Sequence, residues 1–329
     1  MKKRFRFLFP LVIASLSLGG CFIEIEDKDK QDTQDDSGTP AVDSGYYAGY
    51  DLTKSGGRLV NELQKLCFEK HTKWITYGNL NSYFVKNNDH ESAEAVELGS
   101  KVNQYFYTGK EGTGTGTREH VWPCANSGGL WVHDNPGAGN FSPHYVDNAN
   151  YIGGGSDLFH VRTCNTKVNT ARGNSRFVSF DDSEHQAKKS STIDYGESGG
   201  KYTIKLYGAE PTSGGDYQYA NLSEPADEMK GDVARIVLYV YTHYGERGVT
   251  PAGSQTSAGK TYKYSDMTAS LSLTNILGYE DEERCKEVLK AWNKLDPPSK
   301  VEKLRNDTVQ KIQGNRNPYV DYPNLVDQL

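Results

Sequence analysis

The stretch "DLFHVRTCNTKVNTARGN", residues 157–174, decides how this chain folds. Its first five residues alternate, with Leu158 and His160 toward one side and Phe159 and Val161 toward the other, which reads as a strand. Thr166 is a candidate helix N-cap, Asn169 falls in the first turn behind it, and Arg172 lies three residues on, hence on the same helical face. A second stretch, "TGTREHVWPCAN" at residues 115–126, supplies a partner strand. There a Gly/Thr-rich run leads into Glu119 and His120 side by side, and Pro123 closes off any helix. Strand, connection, strand and short helix, in that order, make a β-hairpin plus helix.

The flanking sequence is mostly helical. "GGRLVNELQKLCFEKH" (56–71) spaces Leu59, Leu63 and Leu66 on one helical face, and "ESAEAVELGSKV" (91–102) is a weaker helical candidate. "EPADEMKGDVARIVLYVYTHY" (224–244) is the strongest helix: Pro225 and acids suit its start, and Val233, Ile236, Val237 and Val240 point inward. "DEERCKEVLKAWNKL" (281–295) is stopped by "DPP", and "KVEKLRNDTVQKIQG" (300–314) carries Gly314 as its C-cap. Residues 105–165 read as short strands and long loops, and "KYTIKLYG" (201–208) alternates as a strand. The expected class is α+β: a mainly helical single domain, residues 46–329, with the hairpin–helix unit embedded in it.

The N-terminus addresses the compartment. "MKKR" is a basic n-region, "FLFPLVIASLSL" is an apolar run short for a bilayer span, and "LGGC" ends at Cys21. This predicts a lipoprotein signal peptide, residues 1–20, with Cys21 as the acylated first residue of the mature chain. Residues 21–45 are acidic and rich in Ser, Thr and Gly, a solvated tether that holds the body at a membrane face of the cell envelope. The n-region carries four basic residues and the tether eight acids against two lysines, so the body keeps −4 of the net −6. That excludes a broad basic footprint and allows a local one. Cys67, Cys124, Cys164 and Cys285 allow up to two disulfides in an oxidising compartment, and no Cys-x-x-Cys spacing suggests a zinc ribbon. No obligate protein partner is indicated.

One hairpin–helix unit can present an imidazole base, a carboxylate and an amide oxygen. Phosphodiester cleavage needs those parts: a base to deprotonate water, and a cation to neutralise the phosphoryl and leaving oxygens. Glutamate and asparagine oxygens suit Mg²⁺, or another hard cation such as Ca²⁺ or Mn²⁺, better than zinc. Bland readings stand beside these. Glu119 and His120 can be an ordinary exposed pair, and His160 a satisfied structural histidine. Arg172 is an ion-pair partner or a phosphate contact. Lys230 and Arg235 line a nucleic-acid groove or form an ion-paired helix edge. His133 and His144, in a Gly/Asn-rich loop, are candidate zinc or substrate ligands.

The order "REHVWP", "DLFHVR…VNTARGN", "KGDVARIVLYVYTHY" and "IQGNRNPYVDYP" closely resembles the bacterial endonuclease I family, secreted or periplasmic nucleases of the ββα-metal (His-Me finger) type. The resemblance runs from Tyr46 to the C-terminus. It implies His120 as general base, Glu119 and Asn169 as metal ligands and His160 as support for the hairpin, with Arg172 as a candidate phosphate contact beside the Lys230 and Arg235 read from their helix edge. It also implies DNA, and RNA as a further candidate, cleaved with little sequence preference to 5′-phosphate ends. Phe159 and Thr163 stand where relatives often carry histidine and proline, and Cys124 where they often carry lysine. No arginine lies between Arg118 and Arg162 to assist the leaving group. The alternative reading is a catalytically inactive surface lipoprotein that binds nucleic acid or glycan. A zinc-dependent hydrolase using His120 with His133 or His144 is a third.

Overall fold

The computed structural model describes residues 45–83, 103–112, 117–126, 152–196, 202–247, 252–257 and 260–329, all of which fall in one compact unit. The signal peptide with Cys21, the tether up to residue 44, the helical candidate at 91–102, His133 and His144 lie outside the described residues. The apolar spacing near the N-terminus forms a helix as expected. In α1 (Gly56–Lys70), Leu59, Leu63 and Leu66 are fully buried, joined by Val60, Cys67 and Phe68.

The hairpin–helix follows. Strand β1 (Thr117–His120) pairs antiparallel with β2 (Val161–Cys164), setting Glu119 opposite Arg162 and His120 opposite Val161. Helix α2 (Thr166–Arg172) starts one residue after β2. Two local expectations are corrected. "DLFHV" is not a strand: Asp157 turns the chain by accepting the Phe159 amide at 2.7 Å on Oδ1 and the Val161 amide at 2.9 Å on its carbonyl, so pairing begins only at Val161. The N-cap of α2 is Asn165 rather than Thr166, its side chain accepting from the amides of Lys167 and Val168.

Beyond the hairpin lies a sheet that the sequence hinted at through one strand only. Strands β3 (Arg176–Phe177), β4 (Thr192–Gly196), β5 (Thr203–Tyr207) and β6 (Leu222–Glu224) are ordered β3-β6-β5-β4, with β3 parallel to β6 and the other pairs antiparallel. The alternation read in "KYTIKLYG" is real in β5, where Ile204 and Leu206 are buried.

Helix α3 (Asp227–Tyr244) is the centre of the molecule. It is buried on every side from Met229 to Tyr244, not on one stripe, because α1 and α4 (Glu282–Leu295) both pack against it. Asp281 caps α4, and Ser299 caps α5 (Lys300–Gln313). Gly314 ends α5 at φ 94°, where an added Cβ would sit 2.5 Å from the Lys70 carbonyl, so only glycine lets α5 close against the end of α1. The short α6 (Pro318–Asp321) follows, capped by Asn317. Among the described residues, no helix is long and apolar enough to cross a membrane. Cys67, Cys164 and Cys285 are buried free thiols, so these three form no disulfide with one another.

Candidate active site

Glu119 and His120 leave a regular strand, and their contacts show where each goes. Glu119 is buried beneath α2, where its Oε1 accepts Tyr107 Oη at 2.5 Å and Arg172 Nη1 at 3.1 Å. Arg172 is itself fully buried and reaches two more carbonyls of the hairpin, His120 at 3.4 Å and Val121 at 2.9 Å. Asn169, three residues earlier on the same face, donates Nδ2 to the Arg118 carbonyl at 3.0 Å. The helix is thus stitched to the back of β1 by side chains one turn apart.

His120 points away from that seam. Its Nε2 lies 2.8 Å from the Gly155 carbonyl, and its ring stacks on Tyr77 at 6.0 Å. A carbonyl can only accept, so Nε2 carries the proton and the basic lone pair of the neutral ring is on Nδ1. His160 makes the neighbouring brace: Nδ1 is 2.7 Å from the Gly154 carbonyl, and Nε2 meets the Trp122 amide at 3.0 Å. The glycine turn 153–155 therefore holds both imidazoles through successive carbonyls. Arg118 lies over the Tyr77 ring at 4.5 Å and donates to the Tyr77 carbonyl at 3.1 Å.

The electrostatics separate the pair. Burial pushes the Glu119 carboxyl up to about 7, against the pull of the Arg172 guanidinium and the Tyr107 hydroxyl. Although His120 is only half-buried as a residue, desolvation pushes its imidazole down to about 3, helped by His160 and Arg118 and opposed by the Gly155 carbonyl. A ring held this low stays neutral, as a base must.

A hard divalent cation fits the donor set. Both hydrogen bonds to Glu119 end on Oε1, and Asn169 uses only Nδ2, so among the described residues no hydrogen bond occupies Glu119 Oε2 or Asn169 Oδ1. One carboxylate oxygen and one amide oxygen remain for a metal, each oriented by its sister atom.

Three candidate phosphate contacts are corrected. Arg172 is sealed beneath β1 on Glu119. Lys230 is buried with Nζ 2.7 Å from both Glu224 and Asp227. Arg235 is fully buried, grips Glu302 at 2.7 and 2.6 Å and donates to Asn293 at 3.0 Å. Each guanidinium or ammonium is consumed by an internal carboxylate, which leaves no face for a phosphate. Sequence reading also missed Tyr107, Tyr77, Gly155 and Asn165. The run Gly153–Gly155 is a turn signal that pointed to Gly155, and Asn165 is a better cap residue than the threonine beside it. Nothing local marks Tyr107, whose backbone sits at φ 73°, a sparsely populated region for a tyrosine.

Comparison with known proteins supplies the family context. The sequence pattern of one protein family, Endonuclease I, matches residues 55–324. An extracellular ribonuclease of Bacillus amyloliquefaciens is 27% identical over 298 residues, spanning 88% of this chain and 80% of that protein. An extracellular ribonuclease of Bacillus subtilis (strain 168) is 28% identical over 218 residues, spanning 66% of this chain and 54% of that protein.

Proposed function

This chain belongs to the endonuclease I family, and from that premise we propose that it is an exported, metal-dependent endonuclease that hydrolyses both DNA and RNA with little sequence preference. The observation that carries the reading is the hairpin–helix itself. Glu119 and Asn169 are oriented by one helix, while His120 is locked by the Gly155 carbonyl with its lone pair on Nδ1. His120 takes a proton from the attacking water, and His160 holds the hairpin on which it rides. Glu119 Oε2 and Asn169 Oδ1 would hold Mg²⁺ or another hard cation, which supplies charge neutralisation at the phosphoryl and leaving oxygens. The Glu119–Arg172 pair fixes where that carboxylate points. The products carry 5′ phosphates.

The relatives named extracellular ribonucleases support export and bring RNA in as a substrate beside DNA. The signal at residues 1–20 and the cysteine at 21 support a lipid anchor, with the tether up to residue 45 leading into the catalytic body at 46–329. Contacts made mainly to phosphates fit broad substrate use and predict that cleavage weakens steeply with salt.

The test is parallel cleavage of supercoiled plasmid and of a folded RNA, with Mg²⁺ and after exhaustive chelation. Both substrates should be cut with Mg²⁺, both reactions should stop on chelation, and added Mg²⁺ should restore them. Binding without cleavage by the folded chain would instead favour a catalytically inactive nucleic-acid binder. Undiminished cleavage after chelation would remove the metal from the mechanism.

A further inference from the structure

A second polar cluster lies deep in the core, built from residues that the hairpin chemistry does not use. His71 follows α1, Asp157 opens the turn before β2, and His243 lies near the end of α3. All three are at least 99% buried, and one donor atom from each lies within 4.8 Å of the other two. Aromatic side chains wrap them: Trp74 stacks on His71 at 3.7 Å, Tyr244 stacks on His243 at 4.1 Å, and Phe68 meets His243 edge-on at 4.5 Å.

What marks this cluster is its unspent bonding capacity. Neither ring nitrogen of His71 nor Nε2 of His243 makes a hydrogen bond of good geometry, and the Lys73 amide near the His71 ring is spent on the Gln313 carbonyl at 3.0 Å. Buried polar atoms without partners are rare and costly, and three on two neighbouring imidazoles call for a cause. The hydrogen-bond chain also fixes the His243 tautomer. Tyr239 has a single hydroxyl proton, and at 2.7 Å from Asp157 Oδ2, which can only accept, that proton goes to the carboxylate. The Tyr239 oxygen then accepts Asn315 Nδ2 at 2.6 Å and His243 Nδ1 at 2.8 Å. Nδ1, which also lies 3.7 Å from Asp157 Oδ2, therefore bears the hydrogen, and a bare lone pair is left on Nε2. A hydrogen bond that orients an imidazole through its other nitrogen is a common feature of metal sites.

We propose that His71, Asp157 and His243 form a closed structural site for one zinc-class divalent cation, built from different residues than the Glu119–Asn169 pair. Two imidazole nitrogens and a carboxylate oxygen are a donor set of intermediate hardness that suits Zn²⁺, whereas Glu119 and Asn169 offer only oxygen. Asp157 already accepts four hydrogen bonds, so binding exchanges one at Oδ2, where Tyr239 and Tyr244 both donate, for the metal bond. Burial closes the site to substrate and makes its work structural. The cation would clamp the end of α1, the end of α3 and the turn whose Gly154 and Gly155 carbonyls hold His160 and His120.

The test is metal content and spectrum of the full-length protein. After dialysis against a chelator strong enough to stop cleavage, one zinc per chain should remain by elemental analysis. Asn169→Ala should retain it too. Protein unfolded with chelator and refolded with Co²⁺ should show the visible absorption of a tetrahedral N/O site, and its thermal midpoint should rise over that of metal-free protein. His71→Gln and His243→Gln should each lose the zinc and the cobalt spectrum. Since either variant can fail to fold, the unmutated chain decides alone: folded protein that holds no zinc and gives no tetrahedral cobalt spectrum overturns the proposal. So does zinc that disappears in Asn169→Ala and persists in both histidine variants.

Discussion

At the scale of single residues, the adjacency of Glu119 and His120 is resolved by the period of a strand. Neighbours on a regular strand point to opposite sides, so the pair cannot be two ligands of one ion on one face. The carboxylate goes under α2 and the imidazole goes to the glycine turn. Each then has a separate consequence. His120→Ala leaves the buried Glu119 network untouched, so the variant should fold like the parent while cleavage falls by about 10²–10⁴-fold, the range of a lost general base. Rates of plasmid nicking and near-ultraviolet dichroism on the same sample check both halves, and parental activity in a folded variant would remove His120 from the chemistry. Glu119, His120 and Asn169 could be singled out because they sit in two short motifs, residues 115–126 and 157–174, that follow each other in order. Their partners could not: Tyr107 lies 12 residues from Glu119 and Gly155 lies 35 residues from His120, in segments with no periodicity to read.

At the scale of elements, the docking of α2 onto β1 joins a buried ion pair to the Asn169 hydrogen bond one turn away. Arg172 bonds Glu119 and also caps the carbonyls of His120 and Val121, where β1 ends. Removing the guanidinium leaves a buried carboxylate and two carbonyls unmatched, so Arg172→Met should cost about 3–5 kcal/mol of stability. Adding Glu119→Gln should recover part of that loss, because the orphaned charge goes with it. A double-mutant cycle by urea unfolding measures the coupling, and strict additivity would show that the pair does not hold the helix. Arginine was visible in the sequence as a residue on the Asn169 face, but charge alone does not reveal whether a guanidinium meets solvent or a buried acid. The same ambiguity covered Lys230 and Arg235, which turned out to neutralise Glu224 and Glu302 inside the core. Helices were the most legible elements, since α1, α3, α4 and α5 all fall where their spacing and caps put them. The four-stranded sheet was least so: β3 and β6 are two and three residues long, too short to carry a period, and they form by pairing across the chain.

At the scale of the whole molecule, the core carries an unusual acid liability. In the metal-free chain, His71, His120, His160 and His243 all titrate below their ordinary value of 6.5, each chiefly because burial disfavours the charged ring. The unfolded chain therefore takes up protons below about pH 6.5 that the folded chain refuses, down to about 4 at His71 and about 3 at His120. That stability is present above 6.5 and is lost as pH falls, at about 1.4 kcal/mol per pH unit for each fully buried group and less for the half-buried His120. Three carboxyls work the other way. Burial lifts Glu119 and Glu302 from 4.5 to about 7 and Asp296 from 3.8 to about 6, so in that window the folded chain holds protons that the unfolded chain has released. Until pH falls to about 4.5, the ordinary glutamate value, the three carboxyls offset most but not all of what the four histidines lose. Below it the carboxyls are protonated in both states and contribute no further gain, while the histidines keep losing. Asp157, held below 3.8 by the histidines and tyrosines around it despite its burial, joins the loss there. The urea midpoint of metal-free protein should therefore fall gently between about pH 6.5 and 4.5 and then steeply over roughly the next pH unit. Midpoints measured across that range check it, and a decline as steep above pH 4.5 as below it would mean that the buried carboxyls are ionised by their arginines and only the histidines titrate.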